Sequence, residues 1–165
     1  MKFGGTSLAT LEKIRKVAKT VKAESINHKI IVVLSAMSGV TNELQSLINE
    51  VNFKASTEAD LILTSGEQVT IGLLSMLLKK EGIKSIPLLG WQIPIVTDNQ
   101  HEKGRILNIN NENLYKYFQS NDVIVLAGFQ GISTNGYITS LGRGGSDTTA
   151  VAIASSIKAD RCDIY

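Results

Sequence analysis

Two glycine pairs in this sequence stand beside charged side chains in a way that suits the handling of an anion. Near the start, Lys2 precedes Gly4, Gly5, Thr6 and Ser7. Glycines let backbone N–H groups approach an anion closely, hydroxyls add donors, and the lysine supplies a point charge. A tight strand-to-helix turn would use the same residues for shape alone. The second cluster, Gly142-Arg143-Gly144-Gly145-Ser146-Asp147, is sharper. A guanidinium can grip a carboxylate through two parallel hydrogen bonds while the residues after it open a helix N-terminus. Helix capping explains Ser146 and Asp147, yet it leaves an arginine between glycines without a reason. Glu67, after Ser65-Gly66, falls at a predicted helix start, where the dipole favours a carboxylate, so capping and chemistry account for it equally.

Other chemistries find no support. The phosphate loop GxxxxGK[ST] is absent, and Gly142-x-Gly144-x-x-Asp147 sets an acid where a dinucleotide fingerprint wants a small residue. No GxSxG elbow occurs, and His28 and His101 lie in polar stretches without a partnered nucleophile. One cysteine and two histidines give neither an internal disulfide nor zinc-ligand spacing, so no metal site is expected. Cys162 reads as core, and Trp91 as a half-buried anchor.

These residues need elements to hold them. Leu11, Ile14, Val17, Ala18 and Val21 repeat at helical spacing from Thr10 to about Glu24. Ile30–Leu34 and Val123–Ala127 are short continuous apolar runs, as in strands buried on both faces of a parallel sheet. Leu44, Leu47, Ile48 and Val51 mark a helix that Thr41 could cap, and Val69, Leu73, Leu74, Leu77 and Leu78 another, ended by Gly82. Strands are predicted over 83–89, 93–97 and 105–109, a helix over 111–118, and a hairpin at Asn135-Gly136. A helix from about Thr148 to Ser156 and a strand over 160–165 complete the chain. Alternating helices and buried strands predict an α/β fold with a mostly parallel sheet covered on both faces. In such sheets ligands gather at the strand carboxyl ends, which should bring Ser35, Gly128 and the first glycine loop together.

Composition agrees. With 165 residues, 43% of them hydrophobic and 19% charged, the chain suffices for one domain with a core. A net charge of +2, without a basic cluster interleaved with aromatics, implies no nucleic-acid partner. No stretch approaches the roughly 20 apolar residues of a membrane span, and no leader pattern is visible. A soluble protein of the cytoplasm is expected.

In order along essentially the whole chain stand KFGGTS (Lys2–Ser7), VVLSAMSGVTNEL (Val32–Leu44), SGEQVTIGLLSMLL (Ser65–Leu78), GFQGI (Gly128–Ile132) and SLGRGGSDTTAVAIA (Ser140–Ala154). Together they resemble the aspartokinases, within the amino-acid kinase family. The resemblance implies a three-layer α/β sandwich around a mostly parallel sheet, here incomplete on its C-terminal side. It implies ATP-dependent phosphorylation of the side-chain carboxylate of L-aspartate to 4-phospho-L-aspartate, the first step towards lysine, threonine, methionine and diaminopimelate. ATP with Mg²⁺ would be co-substrate, with no tightly bound cofactor, and full-length relatives would be homo-oligomeric. By the same resemblance Lys2, Phe3, Gly4, Gly5, Thr6 and Ser7 would face the transferred phosphoryl group. Ser35 and Thr41 would lie near the reacting aspartate, Glu67 would receive its ammonium, and Arg143 would clamp its carboxylate beside Ser146 and Asp147. Lys2, Arg143 and Asp147 would be catalytic.

The chemistry fits those residue types. An aspartate side chain with a pKa of about 3.9 is already ionised at neutral pH and needs no general base. Phosphoryl transfer then depends on aligning two anions and neutralising charge. The sequence also departs from the family: Gly90-Trp91-Gln92 stands for Gly-His-Gln, the first strand is short, and the acidic turn, nucleotide-binding half and regulatory ACT domains are not in the 165 residues. The expectation is therefore an N-terminal, aspartate-binding portion, inactive in isolation. The alternative is a non-catalytic remnant that binds an amino acid or pairs with another chain.

Overall fold

Runs of β-branched residues can be buried at every position only where a strand is covered on both faces, and two such runs form the centre of the molecule. The computed structural model describes residues 1–52 and 57–165. In chain order the elements are β1 (Lys2–Phe3), α1 (Leu11–Glu24), β2 (Ile30–Leu34), α2 (Val40–Val51), α3 (Thr57–Leu63), α4 (Ser65–Lys80), β3 (Ser85–Leu88), β4 (Ile95–Thr97), β5 (Ile106–Ile109), α5 (Asn111–Phe118), β6 (Val123–Ala127), β7 (Gln130–Ser133), β8 (Ile138–Ser140) and α6 (Gly145–Ser156). A short 3₁₀ turn, Gly5–Leu8, joins β1 to α1.

β2 and β6 are buried throughout and pair in parallel, from Ile30 against Val123 to Leu34 against Ala127. With β1 and β3 they make an all-parallel sheet of order β1-β2-β6-β3. The pleat sends Ile30, Val32, Leu34, Val123 and Val125 to one face, under Ile14, Val17 and Val21 of α1 and Ile71, Leu74 and Leu78 of α4. Ile31, Val33, Ile124 and Leu126 face the other way, onto Leu114 of α5 and Ala150 and Ile153 of α6. Each such side chain contributes about 1.5–3 kcal/mol on leaving water, so this α/β/α sandwich is where most of the stability resides.

A second sheet, β5-β4-β7-β8, stands beside the first. β4 runs parallel to β7, while β5 and β8 are antiparallel to their neighbours. The predicted hairpin at Asn135-Gly136 is the turn between β7 and β8, with Gly136 at φ 83°.

Several expectations need correction. Thr41 does not cap α2: the helix begins at Val40 after Gly39, and Thr41 lies in its first turn. α3 went unpredicted, since seven residues hold too few turns for a periodic signal. α6 starts at Gly145, not near Thr148, because Gly144 in the left-handed region turns the chain within the glycine pair. The strand expected over 160–165 reduces to one parallel bridge, Ile164 to Lys2, with the Tyr165 ring stacked 4.6 Å from that of Phe3. Cys162 is exposed, not core, and Trp91 is exposed as well. Finally, α3 and α4 together, Thr57–Lys80, form 24 residues long and apolar enough to cross a bilayer, although half of the apolar window is buried in the fold.

Candidate functional site

Parallel strands that end together create a shared edge of backbone groups and loops. The carboxyl ends of β1, β2 and β6 do this: the Ser35 N–H donates to the Phe3 carbonyl at 3.2 Å and the Gly128 N–H to the Leu34 carbonyl at 2.9 Å. A cleft of about 710 Å³ opens here, and Lys2, Ser35, Thr41, Glu67, Arg143, Ser146 and Asp147 all line it. Seven residues spread over the chain from position 2 to 147 are thereby gathered in one place.

The rest of the first glycine loop is not. Phe3 is 4% exposed and belongs to the core, not the cleft. Gly5, Thr6 and Ser7 lie in the 3₁₀ turn, with the Ser7 N–H bonded to the Gly4 carbonyl at 3.0 Å and the Gly4 N–H to the Tyr165 carbonyl at 3.1 Å. Only Lys2 of that string reaches the cleft. Gly4 serves it at close range, since a Cβ there would sit 3.3 Å from the Lys2 Nζ.

Lys2 is buried, and its Nζ lies 2.7 Å from Oδ1 of Asp147, whose side chain is half exposed. The two are close without the alignment of a hydrogen bond, for Asp147 Oδ1 has no hydrogen-bond partner among the described residues. A buried ammonium needs such a counter-charge to offset its lost hydration. The pair leaves an amine at the head of β1 and a carboxylate in the first turn of α6, both facing the same space.

Glu67, in the first turn of α4, is 2% exposed. Its Oε1 accepts the Ala36 N–H at 2.9 Å, while Oε2 is buried with no hydrogen-bond partner among the described residues. Burial raises its pKa to about 7, with the Ala36 hydrogen bond pulling the other way. A buried acceptor left without a donor costs about 1–3 kcal/mol, so a ligand bringing an N–H would relieve it. The Thr70 hydroxyl donates to the Ser35 carbonyl at 2.9 Å and locks α4 to the end of β2.

Arg143 stands exposed between Gly142 (φ 74°) and Gly144 (φ 72°), and no acid is paired with it among the described residues. The α6 N-terminus has no side-chain cap. With the Thr148 N–H on the Gly144 carbonyl, the N–H groups of Ser146 and Asp147 come too early in the helix for an intrahelical acceptor. One cleft thus offers an unsatisfied acceptor on α4, a free guanidinium, uncapped amides on α6 and a buried amine on β1. Such a set fits a small molecule bearing both an ammonium and a carboxylate.

Sequence reasoning did not single out Asn42, Gln45, Glu102, Lys103, Phe129 or Ser140, which also line the cleft. Phe129 sits at φ 67° with its N–H on the Thr149 hydroxyl at 3.1 Å, a left-handed conformation that no local pattern announces.

A sequence profile described as "Amino acid kinase family" matches residues 1–165. The aspartokinase of Rickettsia felis is 51% identical over 169 residues, an alignment that takes in 99% of this chain and 42% of that one. The crystal structure of aspartate kinase from Synechocystis superposes with a TM-score of 0.82 at 39% identity, covering 99% of this chain and 27% of that chain. Aspartokinase III of E. coli, solved in complex with aspartate and ADP, gives a TM-score of 0.85 at 22% identity, a likeness of fold, over 99% of this chain and 48% of that one. The chain spans about two fifths of the length of the curated relatives it matches.

Proposed function

The chain belongs to the amino acid kinase family, and from that premise we propose that its cleft is the amino-acid site of an aspartokinase. The reaction is transfer of the γ-phosphoryl group of ATP to the side-chain carboxylate of L-aspartate, giving 4-phospho-L-aspartate, in the cytoplasm and at the head of lysine biosynthesis. The observation that carries this reading is Glu67 Oε2, buried without a donor among the described residues, in the same cleft as Arg143, which has no acid paired with it among them. The ammonium of the substrate supplies the missing donor, and a guanidinium holds a carboxylate in two-pronged fashion. The acceptor carboxylate is then presented towards Lys2, which neutralises charge as the phosphoryl group arrives.

Positioning and electrostatics suffice for this chemistry, since an ionised carboxylate is its own nucleophile. Magnesium arriving with the nucleotide would supply charge neutralisation at its phosphates. It is ordinarily held by one or two carboxylates together with those phosphates, and the half-exposed Asp147 fits that role.

Calorimetric titration with L-aspartate and with succinate, which lacks the ammonium, tests the reading. Aspartate should bind and succinate should bind at least about tenfold more weakly, the value of one charge-assisted hydrogen bond. Equal affinities, or no heat with either, would overturn it.

A further inference from the structure

Asp60 lines no part of the cleft, yet it is bonded to both of its walls. Its backbone carbonyl accepts the Thr64 N–H at 3.0 Å and the Thr64 hydroxyl at 2.8 Å, where α3 gives way to the helix that carries Glu67. The side chain, 0% exposed, reaches the other way. Oδ1 accepts the Ser140 hydroxyl at 2.6 Å and the Glu102 N–H at 3.0 Å, and Oδ2 accepts His101 Nδ1 at 2.7 Å. Ser140 ends β8 and leads directly into the loop of Arg143. The Glu102 carbonyl supports that loop from behind, since a Cβ on Gly142 would lie 3.2 Å from it.

A carboxylate is expensive to bury unless it is fully hydrogen-bonded. Here both oxygens are bonded, by donors that lie 41, 42 and 80 residues further along the chain. Glu102 is held at φ 61°, a left-handed conformation that its N–H bond to Asp60 helps to maintain. The Gly104 N–H closes the segment onto the Ser140 carbonyl at 2.8 Å.

We propose that Asp60 is a positioning residue that fixes the spacing between Glu67 and Arg143, and so selects the length of the amino acid that spans them. This rests on the amino-acid reading of the cleft. A residue that merely stabilised the fold would, when replaced, weaken all ligands alike, whereas one that sets a spacing alters the preference between ligands of different length.

The test compares L-aspartate and L-glutamate binding in the wild-type chain and in Asp60→Asn, which keeps the volume but puts an amide donor where an oxygen accepted. Hydrogen–deuterium exchange of residues 101–104 and 141–145 is followed in parallel. Aspartate affinity should fall about tenfold, the usual effect of a lost bond to a charged group, and the preference for aspartate over glutamate should shrink by a comparable factor. His101→Gln, which leaves every cleft-lining side chain in place, should do the same to a smaller extent, and it decides the matter if Asp60→Asn does not fold. A folded variant with unchanged preference overturns the proposal. If the wild-type chain binds neither amino acid, the amino-acid reading fails by itself, and exchange then judges the tie: faster exchange in both segments of a folded variant upholds it, and unchanged exchange overturns it.

Discussion

The two glycine pairs look alike in the sequence and do different work in the fold. After Gly4-Gly5 the chain enters a 3₁₀ turn and then α1, whose N-terminus is closed by the Thr10 hydroxyl accepting the Lys13 N–H. A Cβ on Gly5 would come within 3.0 Å of the Ala36 carbonyl, so that glycine is there for close packing. Around Gly144-Gly145 the chain enters α6 with no side-chain cap, and Gly144 lies at φ 72° with nothing within 4 Å of a Cβ. In the first loop the Gly4 N–H is met by the Tyr165 carbonyl and the Ser7 N–H by the Gly4 carbonyl, and Lys2 is the loop's contribution to the cleft. The second exposes a guanidinium and amides whose partner must come from elsewhere. Glycine therefore signals tight geometry, and only the fate of the neighbouring polar groups says whether that geometry serves packing or a ligand.

The largest expected effect breaks the second loop at its charge. Arg143→Lys keeps the cation and loses the planar fork, so aspartate affinity should fall about 10- to 100-fold, equivalent to about 1.5–3 kcal/mol for hydrogen bonds to a charged group. Calorimetry with aspartate reads the loss, and an unchanged aspartate affinity would reduce the second loop to a structural turn like the first.

Next in size is a pH effect that separates the two ends of the ligand. Glu67 binds an ammonium when ionised, and its pKa is raised to about 7 by burial. Between pH 6 and 8 aspartate affinity should rise about tenfold as the carboxylate ionises, with proton release that makes the calorimetric enthalpy depend on the buffer. Arg143→Lys should keep this slope and Glu67→Gln should abolish it. Without ligand, the folded chain holds a proton on Glu67 between about pH 4.5 and 7 that the unfolded chain has released, so this group's contribution to stability falls as pH rises through that window. A flat affinity profile would detach Glu67 from the ammonium.

Much of this was legible beforehand because it is local. Ile30–Leu34 and Val123–Ala127 declare themselves as buried strands by their continuous β-branched content, and the predicted helix over 111–118 matches α5. The parallel sheet then obliges Ser35, Gly128 and the residues after Phe3 to meet at one edge, which is why the cleft residues Lys2, Ser35, Glu67 and Arg143 could be singled out together. What stayed hidden depends on distant partners. Asp60 is one acid in a seven-residue helix, and nothing near it in sequence shows that Ser140, Glu102 and His101 will converge on it. Phe3 was misread because a string was assigned as a block, whereas strand alternation places its side chain in the core while Lys2 reaches the cleft.

A third experiment asks each loop why it needs its glycine. Gly144→Ala should lose about 1 kcal/mol because a Cβ disfavours the left-handed region, and Gly144→Asn should recover much of it, as asparagine tolerates that region. At Gly5 the obstacle is a backbone carbonyl, which a larger side chain can only worsen, so Gly5→Asn should be less stable than Gly5→Ala. Urea midpoints read all four variants. Rescue by asparagine at both positions would show that the two glycines answer the same conformational demand.

The smallest effect concerns the cap that one helix has and the other lacks. The Thr10 hydroxyl accepts the Lys13 N–H at 3.3 Å in an exposed position, and Glu12 in the first turn already favours that helix end. Loss of an N-cap ordinarily costs about 0.5–2 kcal/mol. The long, solvent-exposed bond places Thr10→Ala near the lower limit, at about 0.5 kcal/mol, measurable as a small shift of the urea midpoint with unchanged slope. Thr10 lines no part of the cleft, so aspartate affinity should not move. A loss of affinity out of proportion to that loss of stability would mean that the 3₁₀ turn and the start of α1 transmit strain to Lys2. The first loop would then be a working part of the site, and the contrast drawn between the two glycine pairs would fail at its quieter end.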